Sequence, residues 1–124
     1  MVSEESIDPI LWMDHNPERG KEEIMAIKVL IKRKFKSGNR KEISQLLNRA
    51  RYSAMSMKGY LSSETLTDLN DPDRIAVSSM WRALDDWENW KNDASRAEVV
   101  GEMEKIMVEP EAFELYEMGM QTDI

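Results

Sequence analysis

Trp81, Trp87 and Trp90, three of the chain's four tryptophans, lie within ten positions of one another in the stretch WRALDDWENWKND. Flat indole rings can wall a pocket for a planar ligand, and they can equally fill the core of a small domain. Trp87 and Trp90 stand three apart, which sets them on one side of a helix. Trp81 instead closes an alternating run. Other chemistry is thinly supplied. There is no cysteine, which removes disulfides, thiol nucleophiles and thiolate metal sites. The one histidine is His15. Catalytic zinc or iron needs two or more imidazole or carboxylate groups converging on a point. The acids of this chain read as helix and strand surface, so no metal is expected. Ser62, Ser63, Ser78 and Ser79 lack a positioned base for nucleophilic catalysis.

A chain of 124 residues is long enough for one small domain with a real core. No apolar stretch approaches the roughly 18 residues that span a bilayer, so no membrane partner is expected. The start, MVSEESIDPILWMDH, is acidic and lacks the basic region of a secretory signal, so the cytoplasm is the default compartment. The net charge of −7 is uneven: residues 1–23 carry seven acids against Arg19 and Lys21, and residues 109–124 carry five acids and no base. An acidic whole argues against nucleic acid, because phosphate binding needs a clustered basic surface. Residues 1–23 read as an extension, with Pro9, Pro17, Gly20 and one apolar patch, Ile10-Leu11-Trp12-Met13, that either stays mobile or docks. The domain proper is expected over 24–119, followed by a tail over 120–124.

The elements that position the aromatic residues can be placed from periodicity. IMAIKVLIKRKF (24–35) alternates as a strand, with Ile27, Val29 and Ile31 on one face and Lys28, Lys32 and Lys34 on the other. Leu30 falls among the lysines. Asn39 with Glu42 forms a capping-box pattern. Ile43, Leu46, Leu47, Ala50, Ala54 and Met57 then keep helical spacing to Gly59, a C-cap candidate. YLSSETLTDL (60–69) and RIAVSSMW (74–81) flank the turn sequence Asn70-Asp71-Pro72-Asp73 and should form a hairpin. A short helix follows over Leu84–Lys91, its first turn holding Asp85 and Asp86 at the positive end of the dipole. Ser95 and Glu98 suggest a second capping box, opening a helix with Val99, Val100, Met103, Ile106 and Met107 on its apolar side. AFELYEMG (112–119) is the last strand. The ten methionines read mainly as adaptable core filler.

The order β-α-β-β-α-α-β implies a ferredoxin-like α+β fold, an antiparallel sheet with its helices on one face. The last strand should lie beside the first, where Glu114 and Glu117 can meet Lys28, Lys32 or Lys34. Nothing in the chain covers the second sheet face, so a homodimer packed sheet against sheet is expected.

In this order, IKRKFKSG, GYLSSETLTDLNDPDRIAVSSMW and LDDWENWKND resemble the antibiotic biosynthesis monooxygenase (ABM) family over roughly residues 25–118. The resemblance implies a dimeric α+β barrel with a cleft between sheet and helices in each subunit. Some members oxygenate phenolic or quinol substrates with no metal or flavin, others cleave haem, and others have no established activity, so the fold does not decide the reaction. The haem-cleaving branch uses an Asn, a Trp and a His at positions that fall here on Ile31, Trp90 and Val100. Only the Trp is retained, which argues against haem.

Cofactor-free oxygenation remains, because an electron-rich substrate that ionises easily can pass an electron to oxygen from its own anion. Trp87 and Trp90 are then the aromatic walls and Ile27, Val29 and Ile31 the floor, with Val77 and Ser79 from the third strand if their face is the same; Val100 is a further substrate-binding candidate. The polar candidates for a base are Asn48, Arg51, Tyr52, Tyr60, Glu64 and Tyr116, and no spacing selects one; Trp90, Tyr52 and Glu64 are carried as weak catalytic candidates. The leading expectation is a cofactor-independent monooxygenase acting on a small quinol-like or polyphenolic substrate. The alternative is a non-catalytic dimeric barrel that binds a small hydrophobic ligand or a partner protein.

Overall fold

The computed structural model describes residues 26–119. The expected extension with its Trp12 patch and His15, and the tail over 120–124, lie outside the described residues. Four strands, β1 (Ile27–Lys34), β2 (Tyr60–Thr67), β3 (Arg74–Trp81) and β4 (Ala112–Glu117), form one antiparallel sheet in the order β2-β3-β1-β4. Three helices, α1 (Arg40–Met55), α2 (Leu84–Lys91) and α3 (Ala94–Glu104), complete the ferredoxin-like α+β fold. β4 lies beside β1 as the topology requires, and Lys32 Nζ meets Glu114 Oε2 at 2.8 Å across that pair. The Lys32 ammonium holds the Glu114 carboxyl below its ordinary range, and the Tyr116 hydroxyl donates a second bond to it. Both partners are solvated, so this bridge marks the register more than it stabilises it. Lys34 pairs instead with Asp71 of the hairpin turn at 2.8 Å, and Glu117 stands opposite Ile27, on the other face from the lysines.

Period-2 alternation in β1 decides what lies under the helices. Ile27, Val29, Ile31 and Phe35 are buried, and so is Arg33, which keeps the same parity. Two apolar clusters result. Phe35, Ile43, Leu46, Ile75, Val99, Val100, Met103 and Met107 fill one end, between α1, α3 and the sheet. At the other end Ile27, Val29, Ile31, Ala54, Trp81, Trp87 and Trp90 pack together.

The helix ends differ from the sequence expectation. Asn39 is the N-cap residue of α1 but makes no side-chain cap bond; its amide donates to the carbonyls of Lys36 and Ser37 in the preceding turn. α1 stops at Met55 with Ser56 as its cap, so Met57 and Gly59 lie beyond it. α3 is capped by Asp93, whose carboxylate accepts from the Ser95 N–H, so Ser95 is a helical residue and the Ser95–Glu98 box does not form. Aspartate one residue ahead of the first turn outcompetes serine because its charge also meets the helix dipole. β2 and β4 each end two residues before the expected limit, at Thr67 and Glu117.

Gly59 has a different role from a C-cap. Its φ of +84° turns the chain into β2, and a Cβ on it would overlap the buried Asp86 carboxyl group in the first turn of α2. Gly38 has φ +91° with open space around it. Gly59→Ala should therefore lower the unfolding free energy by about 2–4 kcal/mol, from backbone strain plus overpacking. Gly38→Ala should cost about 1 kcal/mol, from strain alone. Urea titrations of the two variants, read by tryptophan fluorescence, check the difference.

Candidate functional site

A narrow cavity of about 40 Å³ opens between the sheet and the helices. That volume holds a few water molecules, by the roughly 10–15 Å³ that one requires. Each wall follows from the local structure that presents it. β1 contributes Ile31 and Arg33 from its buried parity, and β3 contributes Val77, Ser79 and Trp81. β2 contributes Tyr60, Ser63 and Thr65. The change of parity between Tyr60 and Ser63 comes from a β-bulge at Tyr60/Ser62, which turns the strand by one position. α1 presents the side chains of Leu47, Ala50, Arg51 and Ala54, α2 presents Trp90, and α3 presents Arg96 and Val100. Arg51 and Thr65 are exposed and mark the mouth, between α1 and β2.

The aromatic residues divide by role. Trp81 is fully buried, and its indole N–H donates to Ser79 Oγ at 3.0 Å. Its ring packs edge-on to Tyr60 at 5.6 Å and tilted against Trp87 at 6.2 Å. Trp87, 1 % exposed, meets Phe113 edge-on at 5.6 Å and does not line the cavity. Trp90, three residues further along α2, does line it.

The structure thus brings Trp90, Ile31, Val77, Ser79 and Val100 together around one space, with Arg51 and Tyr60 of the polar candidates, and leaves the rest elsewhere. Trp87 and Val29 belong to the packed core. Tyr52 is 74 % exposed and points away from the cavity. Glu64 pairs with Ser78 on the uncovered sheet face, because the bulge sends its neighbours Ser63 and Thr65 inward instead. Asn48 borders a separate shallow groove, and Tyr116 is exposed on β4 beside Glu114. Tyr60 and Arg51 are the two polar candidates that reach the cavity, and the Tyr60 hydroxyl bonds Ser63 Oγ at 2.7 Å.

The sequence reading missed the charged end of the cavity. Arg33 and Arg96 are 5 % and 6 % exposed, and both line the space. One carboxylate serves them both. Glu111 Oε1 takes Arg33 Nε at 3.2 Å and Nη2 at 3.0 Å, while Oε2 takes Arg96 Nη2 at 2.8 Å. Arg96 also stacks over the Trp87 and Phe113 rings, at 5.9 and 5.4 Å from their centroids. Burial pushes the Arg33 guanidinium below its ordinary value; the Glu111 carboxylate opposes that shift and the Arg96 charge adds to it. The signal was present in the sequence: Arg33 continues the parity of Ile27, Val29 and Ile31, and Arg96 precedes Val99 and Val100 by helical spacing. Among the described residues no cluster of three His, Cys, Asp or Glu side chains is placed to hold a metal ion, and no helix is long and apolar enough to cross a membrane.

Comparison with known proteins bears on this geometry. The family model for antibiotic biosynthesis monooxygenase matches residues 26–102. A conserved protein from Methanosarcina mazei Go1 superposes with a TM-score of 0.70 at 13 % identity, over 78 % of this chain and 96 % of that one. SnoaB, a cofactor-independent oxygenase from Streptomyces nogalater, gives 0.68 at 10 % identity, over 80 % of this chain and 97 % of its own. Rv0793 from Mycobacterium tuberculosis gives 0.67 at 9 %, over 80 % and 99 %. No curated protein matches the chain. At such identities the structural likeness establishes the fold, while the family match covers more than half of the sequence and most of the cavity walls. The chain belongs to the antibiotic biosynthesis monooxygenase family.

Proposed function

We propose that the protein is a cofactor-independent monooxygenase acting on a small quinol-like or polyphenolic aromatic substrate, working as a cytoplasmic homodimer with no metal or flavin. The observation that carries this reading is the slot itself: Trp90 from α2 with Ile31, Val77 and Val100 form an apolar stretch of wall, and the hydrogen-bonded hydroxyls of Tyr60 and Ser63 lie on β2. A flat ring held there is shielded from bulk water. Once its anion forms, the substrate transfers one electron to oxygen; the two radicals combine at carbon, and loss of water leaves one oxygen atom in the product as a carbonyl. Tyr60 and Ser63 can pass the substrate's proton towards the mouth. The structural likeness to SnoaB, a cofactor-independent oxygenase, supports the same reading.

A second reading has its own support. Among the described residues no histidine and no carboxylate lines the cavity, so none of them supplies a strong general base there. This favours a non-catalytic dimeric module that binds a small hydrophobic ligand or a partner protein.

Oxygen uptake separates the two. Metal-free protein should consume oxygen with at least one member of a panel of dihydroxyarenes and anthrones, and Trp90→Phe should change the rate by about tenfold, as for a mispositioned substrate. Ligand-induced quenching of tryptophan fluorescence without oxygen uptake across the panel would select the binding module.

The uncovered sheet face, where Leu30, Leu66, Met80 and Tyr116 stand, supports the dimer. Light scattering should give twice the monomer mass; a strict monomer at micromolar concentration would defeat that part of the proposal.

A further inference from the structure

The walls of the cavity carry an unbalanced charge. Among the described residues its lining includes the buried Arg33 and Arg96, and no carboxylate. Glu111, which neutralises one of the two, does not line the space. Arg33 donates to Glu111 through Nε and Nη2, and among the described residues its Nη1 has no partner. A buried, incompletely paired cation is costly in a structure that gains nothing from it. The apolar walls around it also raise the strength of any charge it meets. Among the described residues the other titratable side chains at the cavity are Arg51 at the mouth and Tyr60 on β2, so each charged residue of this lining is positive.

We infer that this arginine pair is a binding site for an anionic oxygen on a flat apolar ligand, Arg33 and Arg96 receiving a phenolate or carboxylate while the ring lies against Trp90 and Val100. This rests on the proposed role of the cavity as the ligand site, and it names the ligand class. It also resolves the lack of a base. When a phenolic ligand enters, its O–H bond breaks, the electron pair stays on the oxygen against the guanidiniums, and the proton passes to water. The protein lowers the acidity barrier by stabilising the anion instead of by supplying a strong proton acceptor.

Ionisation of bound 4-nitrophenol tests this, because its phenolate absorbs in the visible and its neutral form does not. An apolar slot alone disfavours the anion of a bound phenol; the arginine pair favours it. Binding, followed by quenching of tryptophan fluorescence, should be accompanied by about a tenfold rise in the ionisation constant of the bound phenol, one pKa unit. Arg33→Met should reverse the shift. Glu111→Gln should enlarge it, since it removes the negative charge behind the pair, whereas a merely structural Glu111 would not move it in that direction. Benzoate and benzamide distinguish a ligand that arrives as an anion from one that ionises in place: benzoate should bind about tenfold more tightly if the site accepts a ready-made anion. Equal affinity for these two, with the phenol shift intact, would restrict the site to phenolates. Should 4-nitrophenol bind with its ionisation unchanged or suppressed, the anion site is overturned and the cavity remains a ligand site. If it does not bind at all, both the anion site and the cavity's role fall. Where either variant does not fold, the sign of the shift in the wild-type protein decides by itself.

Discussion

The bridge from Glu111 to Arg33 and Arg96 joins three parts of the chain at one carboxylate: the end of β1, the first turns of α3, and the segment leading into β4. Removing one member of a buried, charge-assisted pair typically costs about 3–5 kcal/mol, because the remaining charge stays behind without its partner. The geometry here makes that penalty cooperative. Two guanidiniums share the two oxygens of one carboxylate, Arg33 through Nε and Nη2 and Arg96 through Nη2, so loss of Glu111 would leave two buried cations without it. The bridge also sets the shape of the cavity. It anchors α3 over the sheet, which places Val100 opposite Ile31, and it holds Arg96 across the faces of Trp87 and Phe113.

Rigidity on the aromatic side comes from a chain of ring contacts. Tyr60 meets Trp81, Trp81 meets Trp87, and Trp87 meets Phe113, so β2, β3, α2 and β4 are joined through four rings. The Ser79 hydroxyl satisfies the buried indole N–H of Trp81, which would otherwise carry the full cost of desolvation. Trp90 stands outside this chain of rings. It belongs to the same cluster but presents part of its surface to the cavity. The aliphatic cluster at the other end, built on Phe35, Met103 and Met107, carries the packing of α1 against α3. Packing is thus concentrated on either side of the slot, and the slot is where the two clusters leave a gap.

Much of the fold could be derived from the sequence because period-2 and helical spacing are local properties. Ile27, Val29 and Ile31 declare the inner face of β1, and the Asn70–Asp73 turn declares the hairpin. What escaped depends on rotation and register, which tertiary packing sets. Spacing puts Trp87 and Trp90 on one side of α2, yet only the angle of that helix over β3 and β4 sends Trp87 into the rings and Trp90 to the cavity. The facing of Glu64 was not legible for a sharper reason. Uninterrupted alternation from the inward Tyr60 would bring Ser62 and Glu64 to the inner face, and the bulge at Tyr60/Ser62 turns Ser63 and Thr65 inward instead. Arg33 escapes a reading by residue type, which puts a charge in a lysine-rich strand at the surface, although its parity is that of the core.

The same comparison shows where the selective chemistry of this cavity lies. At the position where a haem-cleaving relative would need an imidazole stands Val100, and it faces Trp90 and Ile31 across an apolar gap. What the walls supply instead is positive charge from groups that stay protonated at any physiological pH. A guanidinium cannot accept a proton, so it cannot serve as the base whose absence the sequence reading noted. It can make a base less necessary, since an anion stabilised in a low-dielectric slot forms at the expense of its neutral acid. On the proposed oxygenase reading, activation of the substrate therefore falls to electrostatics at one end of the slot and to exclusion of water along the rest. The same arrangement also suits the alternative reading, in which an aromatic anion binds and no oxygen reacts. The two differ in what the ring of the ligand does once its charge is in place, and that is a property of the ligand's reduction potential more than of the walls.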